Sequence, residues 1–143
     1  MTLVIDANLI SAIVLPLPYS EYARQKMTAW KQAGEVILAP VLWEYEVTSS
    51  LRRAVTYGWL DSEQVASALH RIMLLNLQSI PPTEALHWQA LEWAKRLGQA
   101  RAYDSQYIAL AEQIGAELWT ADERLRNRAQ QLGISWVRWI EED

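Results

Sequence analysis

The sequence predicts an α/β fold, a parallel sheet of about four to five strands flanked by helices. Three observations predict it. Short apolar runs without alternation, such as Thr2–Ile5 and Glu35–Ala39, read as strands buried on both faces. Between them lie segments whose apolar residues recur every three and four positions, the helical period. The two kinds of segment alternate along the chain, as strands joined by helical crossovers do. At 143 residues the chain fits a single domain, 1–143, large enough to bury a substantial core.

The elements follow in order. Thr2–Ile5 is the first strand, and Asp6-Ala7-Asn8 come after it. Asp6 has two readings. It can cap the helix Leu9–Leu15, or it is a carboxylate held beside the core by a partner or a metal, because burying one alone is costly. Pro16 and Pro18 end that helix. A helix runs from Ser20 to Gly34, with Ser20 as its cap and Tyr22, Ala23, Met27 and Trp30 inward. Strand Glu35–Ala39 stops at Pro40. From Val41 to about Tyr57 a helix turns Trp43, Val47, Ser50, Leu51 and Ala54 to one face. Glu46 lies at the margin of that face, and Glu44 lies about 160° away. Helical geometry alone leaves open which of the two faces a common site.

Gly58 breaks the helix. Asp61-Ser62-Glu63-Gln64 signals the next start, and Val65, Ala68, Leu69, Ile72 and Met73 carry a helix to about Leu77. Gln78–Ile80 is a short third strand before Pro81-Pro82. Thr83 opens a helix with Leu86, Ala90, Trp93, Ala94 and Leu97 inward, ended by Gly98. After the loop Gln99–Ala102, Asp104 starts a helix marked by Tyr107, Ile108, Ala111 and Ile114 and closed by Gly115. Glu117–Trp119 is the fourth strand. Thr120 with Glu123 fits a capping box for the last helix, which holds Leu125, Ala129 and Leu132 inside and Arg124, Arg126 and Arg128 largely outside. Ile134–Ile140 is the final strand.

Composition narrows the chemistry. The chain has no cysteine, so disulfides and thiolate metal sites are excluded. His70 and His87 are its two histidines, and neither lies near partners that suggest zinc or a nucleophilic triad. No apolar run is long enough to span a bilayer, and no leader-like N-terminus is visible; a cytoplasmic protein is expected. No GxxxxGK loop is present, which disfavours P-loop nucleotide hydrolysis. A net charge of −4 argues against nucleic acid unless acids are clustered to hold cations.

Such a cluster is visible. Asp6 follows strand one, Asp104 opens the helix before strand four, and Asp122 follows that strand. All three have a path to the carboxyl edge of a parallel sheet, where ligands bind. Capping is the competing explanation for Asp104 and Asp122. Glu46 joins them if its helix leans over the edge. Four carboxylates without histidine or cysteine make a hard-oxygen site suited to Mg²⁺ or Mn²⁺, as one or two ions, and to phosphoryl chemistry.

These residues resemble a known family. Val4-Ile5-Asp6-Ala7-Asn8, Ala39-Pro40 with Glu46-Val47 and Leu51, Tyr103-Asp104 with Ala109-Leu110-Ala111, and Leu118-Trp119-Thr120-Ala121-Asp122 look like the successive motifs of PIN domains. Their order and spacing cover nearly the whole chain, and their form resembles the VapC toxins of toxin–antitoxin pairs. The resemblance implies a three-layer α/β/α fold and a metal-dependent endoribonuclease, a homodimer inhibited by a small VapB-like antitoxin protein. It selects Glu46 over Glu44. It makes Asp6, Glu46, Asp104 and Asp122 the catalytic and metal-binding acids, with Asn8 and Thr120 as supporting polar groups. Ser49 departs from the asparagine that many relatives carry. The alternatives are a housekeeping PIN nuclease in RNA processing and a non-catalytic PIN-like module that binds RNA or protein. A receiver domain fits less well: position 7 is Ala, and no lysine follows Lys95. Arg52, Arg53, Arg101, Arg124 and Arg128 lie close in sequence to the acids and are the candidate contacts to RNA phosphates.

Overall fold

The computed structural model describes residues 1–142. Five strands form one parallel sheet: β1 (Thr2–Ile5), β2 (Val36–Pro40), β3 (Gln78–Ile80), β4 (Glu117–Thr120) and β5 (Val137–Trp139). Their order is β3-β2-β1-β4-β5. The chain therefore builds outward from β1 in one direction, then returns to β1's other side with β4. That reversal opens a crevice at the carboxyl ends of β1 and β4. Register there is fixed by Leu3↔Glu117, Val4↔Leu118 and Ile5↔Trp119. The next residues, Asp6 and Thr120, leave the sheet side by side.

Seven helices cover the sheet: α1 (Ala7–Val14), α2 (Ser20–Gln32), α3 (Leu42–Thr56), α4 (Ser62–Met73), α5 (Glu84–Leu97), α6 (Asp104–Ile114) and α7 (Glu123–Gln131). The three-layer α/β/α arrangement is the one expected from the alternating sequence. Helices α1 to α4 pack on one another, α5 packs on α6, and α6 lies against β1, β2 and β4. Val4, Ile5, Leu118 and Val137 from the sheet and Ile108, Leu110 and Ala111 from α6 form one continuous buried core. Being apolar on both faces, the central strands cannot be solvated from either side, so helices must cover both.

Several start and stop signals hold. Asp61 and Gln64 make the capping box of α4 through reciprocal bonds of 2.8 Å. Thr83 caps α5 by accepting from Leu86 N at 3.1 Å. Gly98 and Gly115 end α5 and α6 in the left-handed region, at φ 71° and 68°, where a side chain is disfavoured.

Other expectations are corrected. Ser20 does not cap α2. Its hydroxyl bonds back to the Pro16–Pro18 turn, donating to Leu15 O and accepting from Leu17 N. Thr120 belongs to β4, and Asp122 is the cap of α7. Helix α1 starts at Ala7 because Asp6 caps it. Helix α4 ends at Met73, and Asn76 takes φ 55° before β3. Tyr22, read as inward, is exposed, and so are Leu69, Met73 and Ile114, which marked the helical period. Arg126, read as outward, packs over the Trp139 ring and pairs with Glu142 and Glu123.

Candidate active site

Asp6, Asp104 and Asp122 stand where α1, α6 and α7 begin. Asp6 caps α1, accepting from Leu9 N at 2.9 Å through Oδ1, while Oδ2 accepts from the Thr120 hydroxyl. Thr120 Oγ1 in turn accepts from Asp122 N at 2.9 Å, so one buried hydroxyl ties β1's end to the start of α7. Asp122 Oδ1 accepts from Arg124 N at 2.9 Å and Leu125 N at 3.4 Å. Asp104 occupies the first turn of α6. Three helix N-termini thus converge on three carboxylates, and their partial positive charge moderates the repulsion. Capping therefore accounts for Asp6 and Asp122 but not for Asp104, since Tyr103 is the N-cap of α6 and no side chain caps it; a capping carboxylate oxygen still has lone pairs over.

Glu46 enters from α3. Its Oε1 accepts from the Tyr107 hydroxyl at 2.7 Å. Glu44, on the other side of the helix, is exposed. Asp104 Oδ2 accepts from Gln99 Nε2 at 3.1 Å. Glu46 and Asp104 line one open cleft together with Gln99, Arg101 and Tyr103.

The electrostatics follow from burial and from mutual repulsion. Asp6 is 4% exposed. Burial pushes its pKa up to about 7, against the Thr120 and Leu9 hydrogen bonds that lower it, and the Asp104 and Asp122 charges raise it further. Burial also raises Glu46, opposed by the Tyr107 bond and helped by Asp104. Asp104 is raised by burial and by Asp122, opposed by Gln99. The phenol of Tyr19 is raised by burial and by Asp6 and Asp122, which places a further tyrosine hydroxyl beside the crevice. Among the described residues, none of the four acids pairs with a lysine or arginine. Their charge is held by neutral donors and left uncompensated.

The donor set fits a hard divalent cation: carboxylate oxygens, no nitrogen or sulfur, and no basic side chain to compete. The side chains are not closed into a cage, and among the described residues no three acids or histidines are gathered tightly enough to be one.

The other sequence-selected residues divide. Arg101 is exposed at the mouth of the cleft. Arg124 is exposed in the first turn of α7, beside Asp122. Arg52 and Arg53 are exposed on α3, about 10 Å along its axis from Glu46, beyond ligation distance but near enough for an adjacent phosphate. Arg128 differs. Its guanidinium donates to the carbonyls of Leu97 and Arg96 at the end of α5, and to Gln131, so it ties α7 to α5. Asn8 is exposed, and its side chain has no hydrogen bond among the described residues.

Sequence reasoning missed Tyr107 and Gln99 as partners of the acids. Tyr107 carried a signal, standing three residues after Asp104 and therefore on the same face of α6. Its apolar neighbours made it read as core. Gln99 carried none.

A parallel α/β sheet with acids at its topological switch point defines the class, and comparison with known proteins gives the family. A family model described as the PIN domain matches residues 3–131, and the chain belongs to that family. It is similar to Ribonuclease VapC3 of Pyrobaculum aerophilum, 30% identical over 130 residues, covering 90% of this chain and 95% of the relative. Among solved structures it resembles the Pyrobaculum aerophilum protein PAE2754, with a TM-score of 0.69 at 20% identity, covering 99% of this chain and 93% of the other. It also resembles VapC20 of Mycobacterium tuberculosis, a sarcin-ricin loop cleaving toxin, with a TM-score of 0.63 at 14% identity, covering 95% and 98%.

Proposed function

We propose that this protein is a divalent-metal-dependent endoribonuclease and the toxin of a toxin–antitoxin pair. The observation that carries the reading is the mutual repulsion of the acids, Asp6 with Asp104 and Asp122 and Glu46 with Asp104, with no basic partner among the described residues. The similarity to Ribonuclease VapC3 supports RNA as the substrate, and the similarity to a named toxin supports the biological role.

Asp6, Glu46, Asp104 and Asp122 would hold one or two Mg²⁺ or Mn²⁺ ions. Cations bound there would supply Lewis-acid activation of a water and charge stabilisation at the scissile phosphodiester. The chain does the rest. Thr120 and the Leu9 amide hold both oxygens of Asp6 in place. The amides of Arg124 and Leu125 orient Asp122. Arg101 and Arg124 at the rim attract the RNA backbone, and Arg52 and Arg53 extend that positive track. With a net charge of −4, the protein depends on this local clustering for affinity. A small antitoxin protein and a second copy of the chain are the partners proposed, in the cytoplasm. Among the described residues, no helix is long and apolar enough to cross a membrane.

Induced expression tests the reading. Wild type is expected to arrest growth and Asp6→Ala is not. Purified wild type is expected to cleave RNA with Mg²⁺ or Mn²⁺ and to fall silent after EDTA treatment. Full cleavage in metal-free buffer refutes the metal requirement. Cleavage without growth arrest points to a housekeeping nuclease.

A further inference from the structure

We infer that Tyr107 is a positioning residue for the cation site: its buried hydroxyl fixes the Glu46 carboxylate and so sets the spacing between Glu46 and Asp104. The inference rests on the metal-dependent reading above.

The geometry is specific. Tyr107 is 2% exposed, so its ring is clamped by the core and the hydroxyl position is determined by packing. It donates to Glu46 Oε1 at 2.7 Å across the gap between α6 and α3. Glu46 has no other side-chain hydrogen bond among the described residues, and no ion pair. A half-buried glutamate on a helix has three rotatable bonds and would otherwise sample several of them. The hydroxyl bond occupies one oxygen and leaves the other for the cleft that Glu46 shares with Asp104.

Tyr107 and Asp104 stand three residues apart on α6, and therefore on one face. A single rigid helix thus presents one acid directly and holds a second, borne by α3, through a neutral donor. Lysine or arginine in that place would neutralise the carboxylate and compete with a cation. A phenol does neither: it is a neutral donor. Outer partners of metal ligands of this kind typically contribute about 10- to 100-fold in metal affinity.

The test is direct Mn²⁺ binding, read by electron paramagnetic resonance titration of free Mn²⁺, with no RNA present. Tyr107→Phe is expected to weaken Mn²⁺ binding about 10- to 100-fold. Tyr107→4-fluorophenylalanine keeps the volume and loses the donor, so it is expected to match Phe, and it replaces that variant should Phe fail to fold. Tyr107→4-aminophenylalanine keeps a donor at the same point and is expected to restore affinity. In a Glu46→Ala background, Tyr107→Phe is expected to add no further loss, since residues acting through one another are not additive. Wild-type Mn²⁺ affinity in both donor-less variants overturns the inference, even if their metal-free melting temperature drops, because that pattern belongs to a purely structural hydroxyl. A further loss in the Glu46→Ala background overturns it too. Wild type that binds no Mn²⁺ overturns the metal reading itself, and this inference with it.

Discussion

Replacing Asp6 by Asn is expected to stabilise the metal-free protein while abolishing its activity. Asp6 is buried, and its pKa rises from the ordinary 3.8 to about 7. That rise corresponds to about 4 kcal/mol against holding the charge at neutral pH. The direction of the pH dependence follows. Below 3.8 the group is neutral in both folded and unfolded chains, and its contribution to stability is fully present. Between 3.8 and about 7 the unfolded chain is ionised while the folded group keeps its proton, so that stability is lost progressively and is gone once the pH has risen through about 7. Asparagine carries no such penalty at any pH. It keeps an acceptor for Leu9 N but must turn its amide toward Thr120 Oγ1, which already accepts from Asp122 N. Weakening these charge-assisted bonds costs about 1.5–3 kcal/mol. The net gain at pH 8 is then about 1–3 kcal/mol, or about 3–9 °C in Tm at roughly 3 °C per kcal/mol for a chain of this size. At pH 5 about 2 kcal/mol of the penalty remains, because the unfolded chain is still ionised there, and the weakened hydrogen bonds offset it, so the difference closes. The assay is thermal unfolding of both proteins in EDTA at pH 5 and pH 8, repeated with Mn²⁺. Cation binding should lift the wild-type Tm at pH 8 by mass action and leave Asp6→Asn unmoved. A variant less stable than wild type by the same amount at both pH values refutes the reasoning, because Asp6 would then be a cap without electrostatic strain.

Glu46→Gln is expected to lower RNA cleavage at least about 100-fold, the upper end of what outer partners contribute, while Glu44→Gln stays within about twofold; equal losses in folded variants would show that α3 presents the wrong acid. Arg101→Ala with Arg124→Ala should weaken RNA binding in Ca²⁺ and make its salt dependence shallower by about one log–log unit per lost phosphate contact, measured by RNA affinity across a salt series. Unchanged affinity and slope would leave the rim a solvated surface. Arg128→Ala should instead cost about 0.5–1 kcal/mol of stability through the exposed α5 carbonyls, seen in urea unfolding, with the RNA salt slope unaltered. A slope change in that variant would return Arg128 to the RNA track.

The sequence by itself determined the element order, the parallel sheet and the three aspartates at its edge, because these depend on local signals. Apolar runs such as Leu3-Val4-Ile5 and Leu118-Trp119 mark strands, and a carboxylate directly after a strand leaves the sheet at its carboxyl end. Glycines 98 and 115 end helices for reasons confined to one residue's φ. What only the tertiary structure decided involves partners far apart in sequence. Periodicity does not separate Glu46 from Glu44; the resemblance to PIN domains selects Glu46, and the structure supplies its partner. The Tyr107 hydroxyl, 61 residues away, bonds to Glu46 and not Glu44. Thr120 reads as a cap from its neighbours, yet its hydroxyl binds Asp6 across 114 residues, because the β1–β4 register puts the two strand ends side by side. Arg128 reads as a free surface charge until α7 packs against the end of α5 and offers it two carbonyls. Helical period and capping preference specify which side of an element a residue occupies. Which donor meets which carboxylate is fixed by packing between elements, and local sequence carries no term for it.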